Sequence, residues 1–282
     1  MVNTKFLTII ILLFGANVIH AQLNSTDFES QNVGTAYTRP IWQTDGFITG
    51  NWDNALSTRT MVDTLYSVSG KKSLRFEYPA GQFGPSTDSG TGAQVELYLP
   101  PKEEYFMSYF FRFSNDFSWG NTSEGGKLPG LTGRERCGTD FDCDGTDGFS
   151  ARFMWRKNGK GVLYLYHMDK PGTYGEDFDL TYQNGDIVYF EKGKWYHIAE
   201  RVKMNTSGSD YDGVVQVWIN GEEVLFIDTI RFQSNGDMVD NFFLSSFHGG
   251  SNADWAPVNT CFMWYDDIKI STDYTDVMYT KD

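Results

Sequence analysis

The sequence predicts an all-β protein: a β-jelly roll sandwich of two antiparallel sheets, with a concave substrate groove on one of them. Three observations lead to this prediction. Many short runs alternate apolar and polar side chains, as half-buried strands do. No segment keeps a 3.6-residue apolar period between helix caps. Aromatic residues make up 16% of the chain, which favours strands and also suits the stacking of sugar rings.

The chain begins with a pattern that is typical of a secretory signal. Lys5 precedes the apolar run Phe6–Phe14, and the small residue Ala21 stands before Gln22. A signal peptide explains these features together, and the apolar run is too short to cross a bilayer. We therefore expect residues 1–21 to be a signal peptide. Residues 22–282 are then expected to form one secreted jelly-roll domain, monomeric, without membrane attachment and either extracellular or periplasmic.

Runs of β-branched and aromatic residues, separated by turns rich in glycine, mark the strands. A first strand is expected between Phe28 and Trp52, and a long loop over Pro79–Gly92, which is rich in Gly, Ser and Pro. The other predicted strands are Leu65–Val68, Ser73–Tyr78, Ala93–Leu99, Glu104–Phe113, Gly148–Trp155, Gly161–His167, Trp195–Met204, Gly213–Ile219, Glu223–Asp228, Asn241–Phe247 and Cys261–Ile270.

The segment around Lys127 is predicted to be an irregular loop. Gly125, Gly126, Pro129 and Gly130 interrupt it, and such residues punctuate regular structure. A lysine in a loop of this kind is usually solvated. Its role therefore depends on what surrounds it.

The charge of the chain limits its partners. The formal net charge is -14, so a nucleic-acid partner is not expected, because its phosphates would be repelled. An anionic polysaccharide would need a locally basic cleft in this acidic protein. We expect that cleft where basic residues are concentrated: Lys127, Arg134, Arg136, Arg152, Arg156 and Lys157.

The three cysteines have different expected states. Cys137 and Cys143 enclose a short acidic loop, and in an oxidising compartment we expect them to form a disulfide. Cys261 lies in an apolar run and is expected to be a buried free thiol. No Cys/His spacing for zinc is present.

The acidic loop imitates the start of a calcium site. Asp140, Asp142 and Asp144 are spaced like the first ligands of a calcium loop, but Ala151 stands where a bidentate glutamate is expected. An acidic surface loop without metal is therefore the favoured interpretation. A structural calcium is the alternative, and no other cofactor is expected.

Two predicted strands, Gly148–Trp155 and Gly161–His167, meet at Asn158-Gly159. A two-residue Asn-Gly turn would place Arg152 and Tyr166 on opposite faces. A three-residue loop, or a bulge, would instead pair Arg152 with Tyr166 and bury Phe153 beside the leucines of the second strand. Each large side chain gains about 1.5–3 kcal/mol by burial, which outweighs the turn preference. We therefore predict one concave face that carries four polar side chains, namely Ser150, Arg152, Tyr164 and Tyr166.

Several motifs resemble polysaccharide lyase family 14, which comprises alginate and glucuronate-polymer lyases with a β-jelly roll fold. They are Gly-Gly-Lys-Leu-Pro-Gly-Leu (125–131), Ser-x-Arg at 150–152, Tyr-x-Tyr at 164–166 and the segment Phe247–Pro257. The resemblance covers about half the chain, residues 125–267. It implies β-elimination from a uronate polymer. The preferred substrate is mannuronate-rich alginate, and glucuronan is the alternative.

The resemblance also implies roles for individual residues. Lys127 takes a catalytic role as base, with Tyr164 and Tyr166 as acid/base or positioning groups. Arg152 neutralises the uronate carboxylate and Ser150 assists it. Elimination needs these types of group, because the C5 proton is weakly acidic and charge develops beside the carboxylate. The remaining candidates, for substrate binding in the groove, are His248, Gln94, Glu96 and Arg134.

Two other classes of function remain open. A glycoside hydrolase on such a sandwich needs two carboxylates at a fixed separation, and no strand carries a Glu-x-Asp-x-x-Glu pattern. A carbohydrate-binding domain would need the aromatic residues but not the combination of lysine, arginine and tyrosines.

Overall fold

The structure is a computed structural model that describes residues 23–133, 135–139 and 141–280. The predicted signal peptide, residues 1–21, lies outside the described residues and stays a prediction. Arg134 and Asp140 also lie outside the described residues, so the predictions made for them stay untested.

Strands dominate the described part of the chain, as predicted. They are β1 (Leu23–Thr26), β2 (Ile48–Asn54), β3 (Thr60–Asp63), β4 (Ser73–Tyr78), β5 (Ala93–Lys102), β6 (Glu104–Phe113), β7 (Gly126–Thr132), β8 (Ser150–Trp155), β9 (Gly161–Tyr166), β10 (Glu176–Asp179), β11 (Trp195–Lys203), β12 (Gly213–Ile219), β13 (Glu222–Ile230), β14 (Val239–His248) and β15 (Cys261–Ser271). The helices are α1 (Arg39–Thr44), α2 (Leu56–Arg59) and α3 (Tyr274–Val277), with 3₁₀ turns at Lys157–Gly159 and Ala253–Trp255. None of these described helices has the length and apolarity that a membrane span requires.

The strands form two antiparallel sheets. One has the order β13-β12-β11-β6-β15-β4-β3, with β1 also paired to β15, and the other has the order β10-β9-β8-β7-β14-β5-β2. Their inner faces share one apolar core. Aromatic rings fill much of it, for example Phe113, Phe117 and Trp155, which meet edge to face. The predicted sandwich of two antiparallel sheets is confirmed.

One predicted strand is wrong. Leu65–Val68 forms bends, and β3 pairs with β4 in its place. The side chain of Leu65 is 62% exposed, so this segment has no core to face. Two carboxylates bind its backbone instead: the amide of Leu65 donates to Asp63, and that of Val68 donates to Asp266. Local side-chain bonds of this kind compete with a strand ladder.

The segment around Lys127 is a strand, β7, and not the predicted loop. A bulge makes this possible. Leu128 pairs with Phe153 but Gly130 pairs with Arg152, so Pro129 is an extra residue without a partner in β8. A proline is tolerated at a bulge because the ladder does not need its missing N–H. Glycine is required at the next position, because a β-carbon on Gly130 would collide with the backbone of Ala151.

The opposite sheet binds the backbone on both sides of the bulge. The hydroxyl of Tyr109 donates to the Pro129 carbonyl at 3.0 Å, and the Leu131 amide donates to the Glu200 carboxyl at 2.9 Å. Glu200 is fully buried, and burial raises its pKa well above the usual range. These bonds connect the two sheets at the point where β7 changes its side-chain phase.

A long insert joins β7 to β8 and contains the predicted disulfide between Cys137 and Cys143. Their Cα atoms are 5.5 Å apart, within the range of ordinary disulfides. Cys261 is a buried free thiol, as predicted. Burial raises its pKa to about 12, so it stays protonated and unreactive.

Candidate active site

Strands β8 and β9 place their polar side chains on the outer, concave face of the seven-stranded sheet. Ser150 pairs with Tyr166 and Arg152 pairs with Tyr164. Paired residues share a face, so the predicted grouping of these four side chains is confirmed. The predicted register is wrong by two residues. The last pair is Trp155 with Gly161, so the connection contains five residues, 156–160. Its left-handed residues, Asn158 and Gly159, lie inside this connection.

Lys127 enters the same face from β7. Its Nζ lies 3.2 Å from the centre of the Tyr164 ring and 2.9 Å from the sulfur of Met154. Burial of the amine and the positive charges of Arg152 and Arg156 hold the pKa of Lys127 well below its usual range, and Asp177 opposes them. A lysine in such surroundings can reach the neutral form that accepts a proton.

Arg152 is positioned by hydroxyl groups. Its Nε donates to Ser150 Oγ at 2.9 Å, and its NH1 donates to Ser245 Oγ at 3.2 Å. Ser245 also accepts a bond of 2.8 Å from Gln94. No carboxylate of the described residues forms a salt bridge with Arg152. The guanidinium is thus oriented by neutral groups, and its charge is left for an incoming anion.

The two tyrosine hydroxyls touch each other at 3.1 Å. Tyr164 also accepts a bond from the Gly175 amide at 3.1 Å, and Tyr166 exchanges one of 3.2 Å with Thr139 in the insert. Burial, followed by the bond to Tyr166, raises the pKa of Tyr164. This phenol therefore stays protonated and is able to act as a proton donor.

One cavity of about 890 Å³ is lined by Lys127, Arg152, Tyr164 and Tyr166. Three segments wall it: the insert at Gly138 and Thr139, residues 171–177 at and before the start of β10, and the loop after β14 that carries Trp255. Arg156 lines the cavity, as expected for the basic cleft. Several other lining residues were not predicted from the sequence, namely Met154, Tyr174, Asp177, Phe247 and Trp255. Strand alternation could have found Met154 and Phe247, whereas the others come from loops and edges that only the fold brings together.

The cavity has an uneven charge. Lys127, Arg152 and Arg156 contribute the cations of its lining, and Glu176 and Asp177 contribute the carboxylates. Asp177 holds Arg156 through two bonds of 2.9 and 2.7 Å, and Glu176 bonds to His167. The carboxylates are therefore engaged at the edge, while Lys127 and Arg152 face the interior of a basic cleft.

His248 does not line the groove, contrary to the prediction. It is fully buried and stacks on Phe117, and its Nε2–H donates to the Ser118 carbonyl at 2.7 Å. The cause is strand alternation: Phe247 lines the cavity, so the next side chain of β14 points into the core. Burial lowers the pKa of His248 to about 4.

Gln94 and Glu96 lie on the concave face but outside this cavity. Gln94 supports Ser245, and through it Arg152. Glu96 is buried, forms an ion pair with Arg136 and accepts a bond of 3.0 Å from the Tyr98 hydroxyl. Neither side chain has a hydrogen bond or ion pair with Lys127, Arg152, Tyr164 or Tyr166.

The prediction of an acidic loop without metal and its alternative, a structural calcium, both stay untested, because Asp140 lies outside the described residues. Asp144 accepts bonds from Thr146, and Asp147 accepts one from the Cys143 amide. Within the part of the chain that the structure describes, no group of three or more His, Cys, Asp or Glu side chains is arranged to hold a metal. Arg134 is likewise untested as a binding residue.

A two-sheet β-sandwich with a basic cleft that combines lysine, arginine and paired tyrosines defines a polysaccharide lyase. The family model "Polysaccharide lyase 14" matches residues 67–268. The chain therefore belongs to polysaccharide lyase family 14. No match is found among curated proteins.

Solved structures agree with this assignment. Alginate lyase Aly36B is 27% identical, with a TM-score of 0.71 over 88% of this chain and 96% of that chain. Aly36B variants with a lysine and a methionine, or a lysine and a tyrosine, replaced by alanine are known in complex with alginate trisaccharide and tetrasaccharide.

Two further structures share the fold. The marine PL-14 alginate lyase from Aplysia kurodai is 24% identical, with a TM-score of 0.67 over 86% of this chain and 98% of that chain. The endo-β-1,4-glucuronan lyase from the fungus Trichoderma reesei is 16% identical, with a TM-score of 0.55 over 89% and 98%.

The buried state of His248 predicts acid destabilisation. Its pKa is about 4 in the folded protein and about 6.5 in an unfolded chain. The unfolded state binds the proton more strongly, so stability is lost as pH falls from about 7 to 4. The loss due to this residue is about 3 kcal/mol. Urea unfolding of wild type and His248→Gln across this range measures it. Equal losses in the two proteins would show that His248 titrates normally.

Proposed function

We propose that this protein is a secreted lyase that cleaves mannuronate-rich alginate by β-elimination. One observation carries the proposal: the Lys127 amine, the Arg152 guanidinium and the hydroxyls of Tyr164 and Tyr166 line one cavity. The likeness to Aly36B, which is known in complex with alginate oligosaccharides, supports alginate as the polymer. A lysine and a methionine are in contact in this cavity, as are two tyrosines.

Arg152 binds the carboxylate of the sugar that reacts. A guanidinium is permanently charged and can hold a carboxylate by two parallel bonds. Negative charge spreads onto this carboxylate when the C5 proton leaves, and a fixed cation stabilises that charge without reorganising. The serine hydroxyls at positions 150 and 245 keep the guanidinium in place for this step.

Lys127 removes the C5 proton, because its depressed pKa leaves a neutral amine with a free electron pair. The electrons of the broken C5–H bond form the C4=C5 double bond, and the C4–O bond to the next sugar breaks. Tyr164 stays protonated, so the tyrosine pair donates the proton that the leaving oxygen takes up. Proton exchange with solvent then restores both groups.

Export is supported by two features. Residues 1–21 have the pattern of a secretory signal, and the disulfide between Cys137 and Cys143 fits an oxidising compartment. A secreted lyase would meet a polymer that is too large to enter a cell.

The substrate prediction is tested with a panel of polymannuronate, polyguluronate and glucuronan. Elimination makes a double bond conjugated to the carboxylate, so ultraviolet absorbance should rise, and fastest with polymannuronate. Fastest cleavage of glucuronan would establish the alternative substrate. New reducing ends without absorbance would contradict elimination altogether.

Lys127→Ala should lower kcat by about 10²–10⁴-fold, the usual contribution of a general base. It should change the free energy of unfolding by only about 1 kcal/mol, because the amine loses its contacts with the Tyr164 ring and the Met154 sulfur. Lys157→Ala is the matched control, since this lysine is exposed. Near-normal turnover in Lys127→Ala would remove the residue from the mechanism.

The pH dependence identifies the base. Activity should fall at low pH as Lys127 gains a proton. Asp177 raises the pKa of Lys127 and Arg156 lowers it. Asp177→Asn should therefore lower the pKa of Lys127 and move the acidic limb of the kcat/KM profile to lower pH. Arg156→Gln should raise this pKa and move the limb to higher pH.

Asp179→Asn is the control for this pair of variants, because Asp179 lies on the same strand but pairs with Lys160. Its pH profile should match wild type. Arg156 also lowers the pKa of Tyr164, so a shift in Arg156→Gln alone would not separate the lysine from the tyrosine. An unchanged profile in Asp177→Asn would therefore exclude Lys127 as the base.

A further inference from the structure

The insert between β7 and β8 crosses the concave face. At one end Thr139 bonds to Tyr166 on β9, and at the other Arg136 forms an ion pair with Glu96 on β5. Strands β8, β7 and β14 lie between these two contacts. The disulfide between Cys137 and Cys143 cross-links the insert directly after Arg136, and Thr139 lies inside the loop that it forms. Arg136 is thus held over the groove by a short, cross-linked segment.

Arg136 lies in a corner of aromatic rings. Its guanidinium carbon is 4.2 Å from the centre of the Phe243 ring and 5.4 Å from that of Trp52. The two rings meet edge to face at 6.1 Å. The side chain of Arg136 keeps 25% of its surface exposed, and one guanidinium carries five N–H donors. Its partner Glu96 leaves some of these donors free for a ligand.

Arg136 and Arg152 share the same phenyl ring. The guanidinium carbon of Arg152 lies 5.2 Å from the centre of Phe243. Burial and the charge of Arg152 lower the pKa of Arg136 to about 10. Among the residues described, Glu96 is the carboxylate paired with either arginine. Two cations held this close with one carboxylate partner leave a positive charge that a second anion would offset.

We propose that Arg136 is a second carboxylate-binding residue, which holds the uronate next to the one held by Arg152. This inference rests on the proposed function, because a uronate polymer carries a carboxylate on every sugar. The fork of a guanidinium suits a carboxylate, and the half-buried ring of Trp52 offers an apolar face to a sugar. Glu96 positions Arg136 and competes with the substrate for it.

The test separates recognition from a purely structural ion pair. If Arg136 binds substrate, Arg136→Gln should raise KM about tenfold or more, since a charge-assisted bond is lost. Glu96→Gln should lower KM, because it frees Arg136 and removes a negative charge. Arg136→Lys should recover part of the affinity. If the ion pair only holds the insert in place, Arg136→Gln and Glu96→Gln should both raise KM.

Arg201→Gln is the matched control. Arg201 pairs with Glu104 at 2.6 Å and lies 5.8 Å from the ring of Phe106, on the opposite sheet. Its KM should equal that of wild type. Thermal unfolding of each variant reports any loss of folding. Equal KM values for Arg136→Gln and Arg201→Gln would overturn the inference.

A binding measurement distinguishes this inference from the proposed function. In the Lys127→Ala background, calorimetric titration with a mannuronate trisaccharide should give a Kd that Arg136→Gln raises about tenfold. If wild type cleaved no uronate polymer, a tenfold higher Kd in Arg136→Gln than in wild type would still support Arg136 as a binding residue. An unchanged Kd, in a protein that does cleave alginate, would refute Arg136 and leave the lyase function intact.

Discussion

The bulge at Pro129 is the constraint on which the active site depends. Side chains alternate along a strand, so a regular β7 would place Lys127 and Leu131 on the same face. The extra residue lets Lys127 point to the cavity while Leu128 and Leu131 both stay in the core. Tyr109 and Glu200 from the other sheet bind the backbone beside the bulge. The sandwich therefore stabilises the irregularity that brings the amine of Lys127, the proposed base, to the cavity.

The second constraint is electrostatic. The chain is strongly acidic, yet its groove concentrates cations. Aromatic rings make this possible, since Phe243 contacts both Arg136 and Arg152. A ring face attracts a cation without neutralising it. Arg152, which has no carboxylate partner among the described residues, thus keeps its charge available to an anionic polymer.

Local patterns predicted most of the fold, because period-two alternation is a property of each strand. They failed where distant parts of the chain decided the outcome. Leu65–Val68 has strand-forming residues but no core to cover. β7 contains glycine and proline, which locally indicate a loop, but Gly126 and Gly130 fit where Trp155 and the β8 backbone approach closely. His248 is not a groove residue, because Phe247 lines the cavity and strand alternation then directs the next side chain into the core.

The sequence by itself determined the two-sheet class, the family motifs and the face that Ser150, Arg152, Tyr164 and Tyr166 share, because burial of the alternate apolar residues decides that face. Only the tertiary structure decided the register, the position of Lys127 and the place of Arg136. These depend on a bulge bound by the opposite sheet and on an insert that reaches across five strands. Such contacts join residues far apart in the chain, and no local pattern encodes them.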